Sequence, residues 1–162
     1  MSALPPAGDQ KPSTAAPAAE RQGVGRGDDD PGAGLSILGN TVRHPVEHVE
    51  CFPAPAGCSR VRFSTEELMS ICPVTGQPDL SAVVIDYIPG PLCIESKSLK
   101  LFLWSFRDRA IFAEALAAAI ADEVVETVQP RWVKVTVTQR PRGGIEIQTT
   151  SEFGDPAAPT TS

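Results

Sequence analysis

The sequence predicts an α+β domain in which two helices cover one face of an antiparallel sheet. Three observations carry that reading. Residues 131–140 alternate strictly, with Val133, Val135 and Val137 on one side and Trp132, Lys134, Thr136 and Thr138 on the other. Residues 81–88 form a β-branched run closed by Pro89-Gly90-Pro91. Between them, residues 98–128 carry apolar groups at helical spacing. Strands at both ends of a helical middle make the order β-β-α-α-β-β, the pattern of helices segregated to one side of an antiparallel sheet.

Taken in order, residues 60–64 (Arg-Val-Arg-Phe-Ser) alternate and predict a strand, and residues 65–70 predict a short helical turn. Cys72-Pro-Val-Thr-Gly-Gln-Pro-Asp79 holds two prolines and a glycine, which predicts a loop. The strand at 81–88 follows. Leu99, Phe102, Leu103 and Phe106 then repeat on one helix face, and a second helix is expected from 108 to 128, stopping before Pro130. After the strand at 131–140, Pro141-Arg-Gly-Gly144 predicts a turn into a last strand at 145–150.

The domain is expected to occupy residues 35–153. Residues 1–34 are drawn mostly from Ala, Pro and Gly with an acidic run at Asp28, Asp29 and Asp30, and predict a disordered tail. Residues 154–162 predict a second, short flexible tail. The chain has 162 residues, 41% of them hydrophobic, enough for one core. Its net charge of −6 argues against a nucleic-acid partner. No apolar run approaches a membrane span, and no basic-then-apolar leader opens the chain, so a cytoplasmic protein is expected. Cys51, Cys58, Cys72 and Cys93 form no dense framework and read as free thiols.

Four places carry chemistry in their residue types. Cys72 stands in a rigid Pro/Gly loop that delivers Asp79 shortly afterwards; a thiolate nucleophile needs such a neighbouring acid, while the plainer alternative is a buried filler cysteine. Glu114 is the only charge between Arg109 and Asp122, in a helix apolar nearly all round, so it reads either as a buried carboxylate that receives N–H groups of a ligand or as a solvent-facing residue near Arg107 or Arg109. In Glu95-Ser-Lys-Ser-Leu-Lys100, Ser96 or Ser98 could cap a helix, leaving N–H groups free for an anion beside Lys97 and Lys100; a solvated charged turn is the other reading. His44, His48, Cys51 and Cys58 lie close in sequence, but their irregular, proline-broken spacing is poor for a metal.

Together these segments resemble the QueF family, the NADPH-dependent 7-cyano-7-deazaguanine reductases of queuosine biosynthesis. Cys72-Pro-Val-Thr-Gly-Gln-Pro-Asp79 is similar to the family's nucleophile loop. Glu95-Ser-Lys-Ser-Leu-Lys-Leu-Phe-Leu-Trp104 is similar to its signature, and Ser105-Phe-Arg107 and Pro141-Arg-Gly-Gly-Ile145 to further segments. The match spans roughly residues 35–153 and resembles the short, unimodular type. It implies a tunnelling fold whose modules assemble into β-barrel rings, ten subunits as two pentamers, with sites at subunit interfaces.

The resemblance also implies chemistry. Cys72 would form a covalent thioimide with the nitrile and Asp79 would act as general acid. Two NADPH molecules would bring the carbon to the amine of 7-aminomethyl-7-deazaguanine. Glu114 would hold the deazapurine, with Ile94, Glu95, Ser96 and Ala113 around it, and Lys97, Lys100 and Arg142 would meet the cofactor's phosphates. One position departs from the family: its usual Phe-His-Glu is Phe112-Ala113-Glu114 here, and alanine relays no proton. That departure keeps two alternatives open, a thioimide-forming relative that resolves the adduct with ammonia or water, as the archaeal amidinotransferases do on transfer RNA, and a protein that binds the deazapurine without reducing it. A zinc-dependent cyclohydrolase on the same fold is a further rival, with poor ligands.

Overall fold

The computed structural model describes residues 35–37 and 39–157. The tail expected at 1–34 and residues 158–162 lie outside the described residues. Strand β1 (Cys51–Pro53) is followed by β2 (Val61–Ile71), β3 (Pro78–Ile88) and β4 (Leu92–Ile94). Helix α1 (Ser96–Trp104) runs into a 3-10 turn (Ser105–Asp108), and α2 (Ala113–Val128) precedes β5 (Trp132–Arg142) and β6 (Ile145–Gly154). The long strands make an antiparallel sheet of order β2-β3-β5-β6, while β1 and β4 pair in a small ribbon.

The helices cover one face of the sheet. Val83 pairs with Val137, Ile85 with Val135 and Tyr87 with Val133, and these side chains are buried with Leu116, Ala117, Ile120, Val124 and Val128 of α2 and Leu99, Phe102 and Phe106 of the α1 side. Period-two alternation in β3 and β5 meets a helix stripe, so one apolar layer closes both.

Four expectations need correction. Residues 65–70 are strand, with a bulge between Thr65 and Leu68 where the helix was expected. Thr-Glu-Glu-Leu is locally helix-prone, but pairing Leu68 to Ser81 and Ser70 to Asp79 on β3 overrides that propensity and displaces it into a bulge. Residues 108–112 do not belong to the second helix; it begins at Ala113, after an extended Phe112. The last hairpin turns on Gly143 and Gly144 alone, both at positive φ, so Pro141 and Arg142 remain in β5. Gly154 closes β6 and is part of the domain.

Candidate active site

The buried face of the sheet changes character at one end. Beyond the valine layer, Ser70, Asp79, Ser81 and Gln139 are all buried, and the register sets Ser70 opposite Asp79 and Ser81 opposite Gln139. The β2–β3 hairpin stands at this polar end. Its loop closes when Cys72 N–H donates to Gln77 O at 2.9 Å and Gly76 N–H to Cys72 O at 2.9 Å, with Gly76 at φ 67°. Cys72 therefore leaves β2 one residue past the last ladder pair, Ile71 with Pro78. Asp79 enters β3 just beyond it.

Arg142 ties the elements together. Its Nη1 donates to Thr75 Oγ1 at 3.1 Å and to Gln77 Oε1 at 3.0 Å. Its Nε lies 3.0 Å from Asp79 Oδ1, a charge contact without hydrogen-bond alignment, so that buried oxygen keeps its acceptor capacity unused. The Cys72 thiol is lowered to about 6. A hydrogen bond from the Thr75 hydroxyl contributes most, followed by Arg142 and the backbone N–H groups of Thr75 and Val74, against an opposing desolvation. The other thiols differ: burial pushes both Cys51 and Cys93 up. Cys72 is thus a thiolate at neutral pH although only 8% exposed.

The segment before α2 is fixed to this loop. Ile71 N–H donates to Arg109 O at 2.9 Å, and Ile111 N–H donates back to Ile71 O at 3.1 Å. That bridge brings Phe112, Ala113 and Glu114 to the Cys72 side of the sheet. Glu114 is exposed in the first turn of α2, so burial on several sides is not its situation in the single chain. The buried carboxylate of α2 is Glu123, which accepts Val49 N–H at 2.6 Å, Thr127 Oγ1–H at 3.0 Å and a His48 Nδ1 contact at 3.2 Å.

At the other signature the cap also differs from expectation. Glu95, not Ser96 or Ser98, is the N-cap of α1: its carboxylate accepts Lys97 N–H at 2.8 Å and Ser98 N–H at 2.7 Å. A charged acceptor is the stronger partner for those N–H groups, so they are not free for an external anion. Ile94 N–H donates to Tyr87 Oη at 3.0 Å and Glu95 N–H to Glu50 O at 2.8 Å. Lys97 Nζ donates to Ile37 O at 2.8 Å and also to Asn40 O. Ser96 and Lys100 are exposed. They line a groove of about 680 Å³ between α1 and β2, with Lys97, Trp104 and Arg107 among its walls. Of the residues first weighed for a metal, His48 pairs with Glu123, Cys58 lies against Cys93 and His44 bonds the Pro45 carbonyl. No group of three metal-ligating side chains occurs among the described residues.

A loop with a lowered thiol at Cys72, a buried carboxylate at Asp79 and a Glu-Ser-Lys-Ser-Leu-Lys helix start invite comparison with known proteins. A family model described as QueF-like protein matches residues 78–158. A protein of Granulibacter bethesdensis is 42% identical over 130 residues, covering 76% of this chain and 85% of its own length. One of Rhizobium leguminosarum bv. trifolii is 49% identical over 128 residues (75% and 83%), and one of an Anaeromyxobacter species is 40% identical over 113 (68% and 93%). All three are named NADPH-dependent 7-cyano-7-deazaguanine reductase.

The chain belongs to the QueF family.

A solved structure agrees with that membership: the apo crystal structure of the archaeosine synthase QueF-Like superposes with a TM-score of 0.57 at 33% identity, covering 60% of this chain and 95% of that one. The tunnelling fold of the QueF family is the α+β sheet with two helices described above. Sequence reading did not find Thr75, Gln77 or Glu123. Thr75 and Gln77 flank the loop glycine inside the nucleophile motif itself, which was the available signal. Glu123 had none, because Asp122 and Glu126 look the same in sequence.

Proposed function

We propose that this protein reduces the nitrile of 7-cyano-7-deazaguanine to the aminomethyl group with two equivalents of NADPH, in the route to queuosine. The observation that carries it is the Cys72 thiolate, held by Thr75 and Arg142 beside buried Asp79. A thiolate adds to an electrophilic carbon that a neutral thiol attacks slowly. Cys72 Sγ bonds the nitrile carbon while one C–N π bond opens, and the nitrogen takes its proton from Asp79, giving a thioimide. Overall, R–C≡N, two NADPH and two protons become R–CH2NH2 and two NADP+, and the Cys72–carbon bond breaks when the thiolate leaves.

The α1–β2 groove fits an anionic, aromatic-bearing reductant: Lys100 and Arg107 supply charge and Trp104 a ring face. NADPH bound there supplies hydride. Lys97 and Lys100 face its phosphates in this reading, Lys97 by exchanging its carbonyl partners. Glu114 receives the N–H edge of the deazapurine, with Ala113 and the Ile94–Ser96 turn beside it. Exposure of Glu114 and of Phe112, at 56%, is consistent with a site completed by a second subunit. So are the open sheet edges at β2 and β6, the latter carrying exposed Ile145, Ile147 and Phe153. The working form is a homo-oligomeric ring. No helix among the described residues is long and apolar enough to cross a membrane, and a cytoplasmic enzyme acting on a free small molecule, not on nucleic acid, completes the proposal.

The test is NADPH oxidation with 7-cyano-7-deazaguanine, run with Cys72→Ala and Ala113→His beside the wild type. Cys72-dependent turnover supports the reductase. A covalent adduct by intact mass without NADPH oxidation would replace reduction by capture or by transfer to another nucleophile. Neither turnover nor adduct would overturn the reading.

A further inference from the structure

We infer that Arg142 is a positioning residue for the nucleophile: through Thr75 and by direct contact it keeps the Cys72 sulfur anionic and holds it in one frame with Asp79, before any substrate or reductant binds. The inference rests on Cys72 being the nucleophile of the proposed reaction. It departs from the expectation that Arg142 serves cofactor phosphates alone.

The geometry supplies the argument. Thr75 has one hydroxyl proton to give. Arg142 Nη1–H donates to Thr75 Oγ1 at 3.1 Å, so that oxygen acts as acceptor towards the guanidinium and its own proton is turned to the Cys72 sulfur, to which it is hydrogen-bonded. A hydrogen bond passed from a cation to a hydroxyl to a thiolate polarises each donor in turn. The same guanidinium also bonds the sulfur directly. Its Nε reaches Asp79 Oδ1 at 3.0 Å, and Nη1 also donates to Gln77 Oε1 at 3.0 Å. One planar, five-donor group therefore touches four side chains of the hairpin.

The charges around the sulfur are consistent with that role. From β3 comes Asp79 and from β5 comes Arg142, whose Nε lies 3.0 Å from Asp79 Oδ1. Thr75 and Gln77 of the loop are neutral. From the segment before α2, Arg109 bonds Ile71 through its carbonyl, while its guanidinium lies over the Phe106 ring at 4.6 Å. Removing Arg142 thus leaves the Cys72 sulfur without the guanidinium beside it, and leaves Thr75 free to turn its proton elsewhere.

The experiment is the pH dependence of Cys72 alkylation by iodoacetamide, read by peptide mass on the full chain without substrate or NADPH. Wild type, Arg142→Ala, Arg142→Lys and Thr75→Val are compared, with thermal melts to establish folding. The wild-type midpoint is expected near 6. In Arg142→Ala it is expected to move up towards the ordinary thiol value of about 8.5, and the full move would lower the thiolate fraction at pH 7 about thirtyfold. Arg142→Lys, which keeps the charge but not the fork, is expected to fall between. Thr75→Val, which cannot pass the hydrogen bond on, is expected to shift the midpoint upward with Arg142 in place. A folded Arg142→Ala with an unchanged midpoint overturns the inference, including when its only effect is a raised KM for NADPH. Should Arg142→Ala not fold, unmoved midpoints in both Arg142→Lys and Thr75→Val overturn it. Alkylation needs no turnover, so a low midpoint that depends on Arg142 in a protein that reduces no nitrile would sink the proposed function and leave this inference standing.

Discussion

Ile71 and Ala110 form a parallel bridge that joins the end of β2 to the segment entering α2. Through two backbone hydrogen bonds it sets the start of α2 beside the loop of Cys72. Ile111→Pro deletes the N–H that Ile71 O accepts. Losing one half-buried bond of this kind costs about 0.5–1.5 kcal/mol. We expect catalysis to fall further than a melt shift of that size explains, because Phe112–Glu114 lose their registration with the thiolate. Steady-state kinetics alongside thermal melts check this.

Lys100 stands exposed on the groove wall. Lys100→Ala is expected to raise the KM for NADPH about tenfold with little change in kcat, the pattern of a contact equal in ground and transition states. An unchanged KM would remove the groove from the cofactor assignment.

Asp86 is held below the usual carboxylate value of 3.8 by hydrogen bonds from Arg60, at 2.7 Å to each oxygen, against desolvation and with help from Arg62 and Lys134. Since its folded value is depressed, this group's contribution to stability is present above 3.8 and is lost as pH falls through the folded value. Asp86→Asn should therefore lower Tm at neutral pH and flatten the acid limb of a Tm–pH curve below about pH 4. Arg60 is more than half exposed, so solvent screening keeps the effect modest.

Gly154 sits at φ 81°, and a Cβ there would lie 2.2 Å from Arg131 O. Both the conformation and the backbone collision oppose any side chain. Gly154→Ala is expected to destabilise by roughly 1–3 kcal/mol, measured by urea denaturation. A residue in a flexible tail would give no effect.

Glu123 fastens residues 48–49 to α2 through bonds to Val49 N–H and His48. Glu123→Ala leaves the buried Val49 N–H without its acceptor. Hydrogen exchange at Val49 should then accelerate by at least tenfold, while amides of the β3–β5 core keep their protection.

Much of the fold was legible from local pattern. The alternation of β3 and β5 and the stop before Pro130 are properties of short windows, and the structure keeps them. The α2 surface was less legible, because alanine is indifferent to its surroundings. In Ala113–Ala121 the sequence does not distinguish Ala117, fully buried, from Ala115, exposed, so Glu114 looked enclosed when it is not. The cap of α1 was missed for a similar reason: three capping-competent residues stand together, and only the path of the chain past Glu50 selects Glu95.

By itself, the sequence determined the α+β class, the loop that carries Cys72 and Asp79, and the family signature, because each is written in contiguous residues. Tertiary structure alone decided that Arg142 joins Thr75 at the thiolate. Arg142 is far from Cys72 along the chain, and it arrives because β3 and β5 pair antiparallel, which brings the end of β5 to the beginning of β3. Antiparallel pairing leaves no trace in either strand's own alternation, since a strand reads the same whichever neighbour it takes. The guanidinium beside Cys72 is therefore placed there by register.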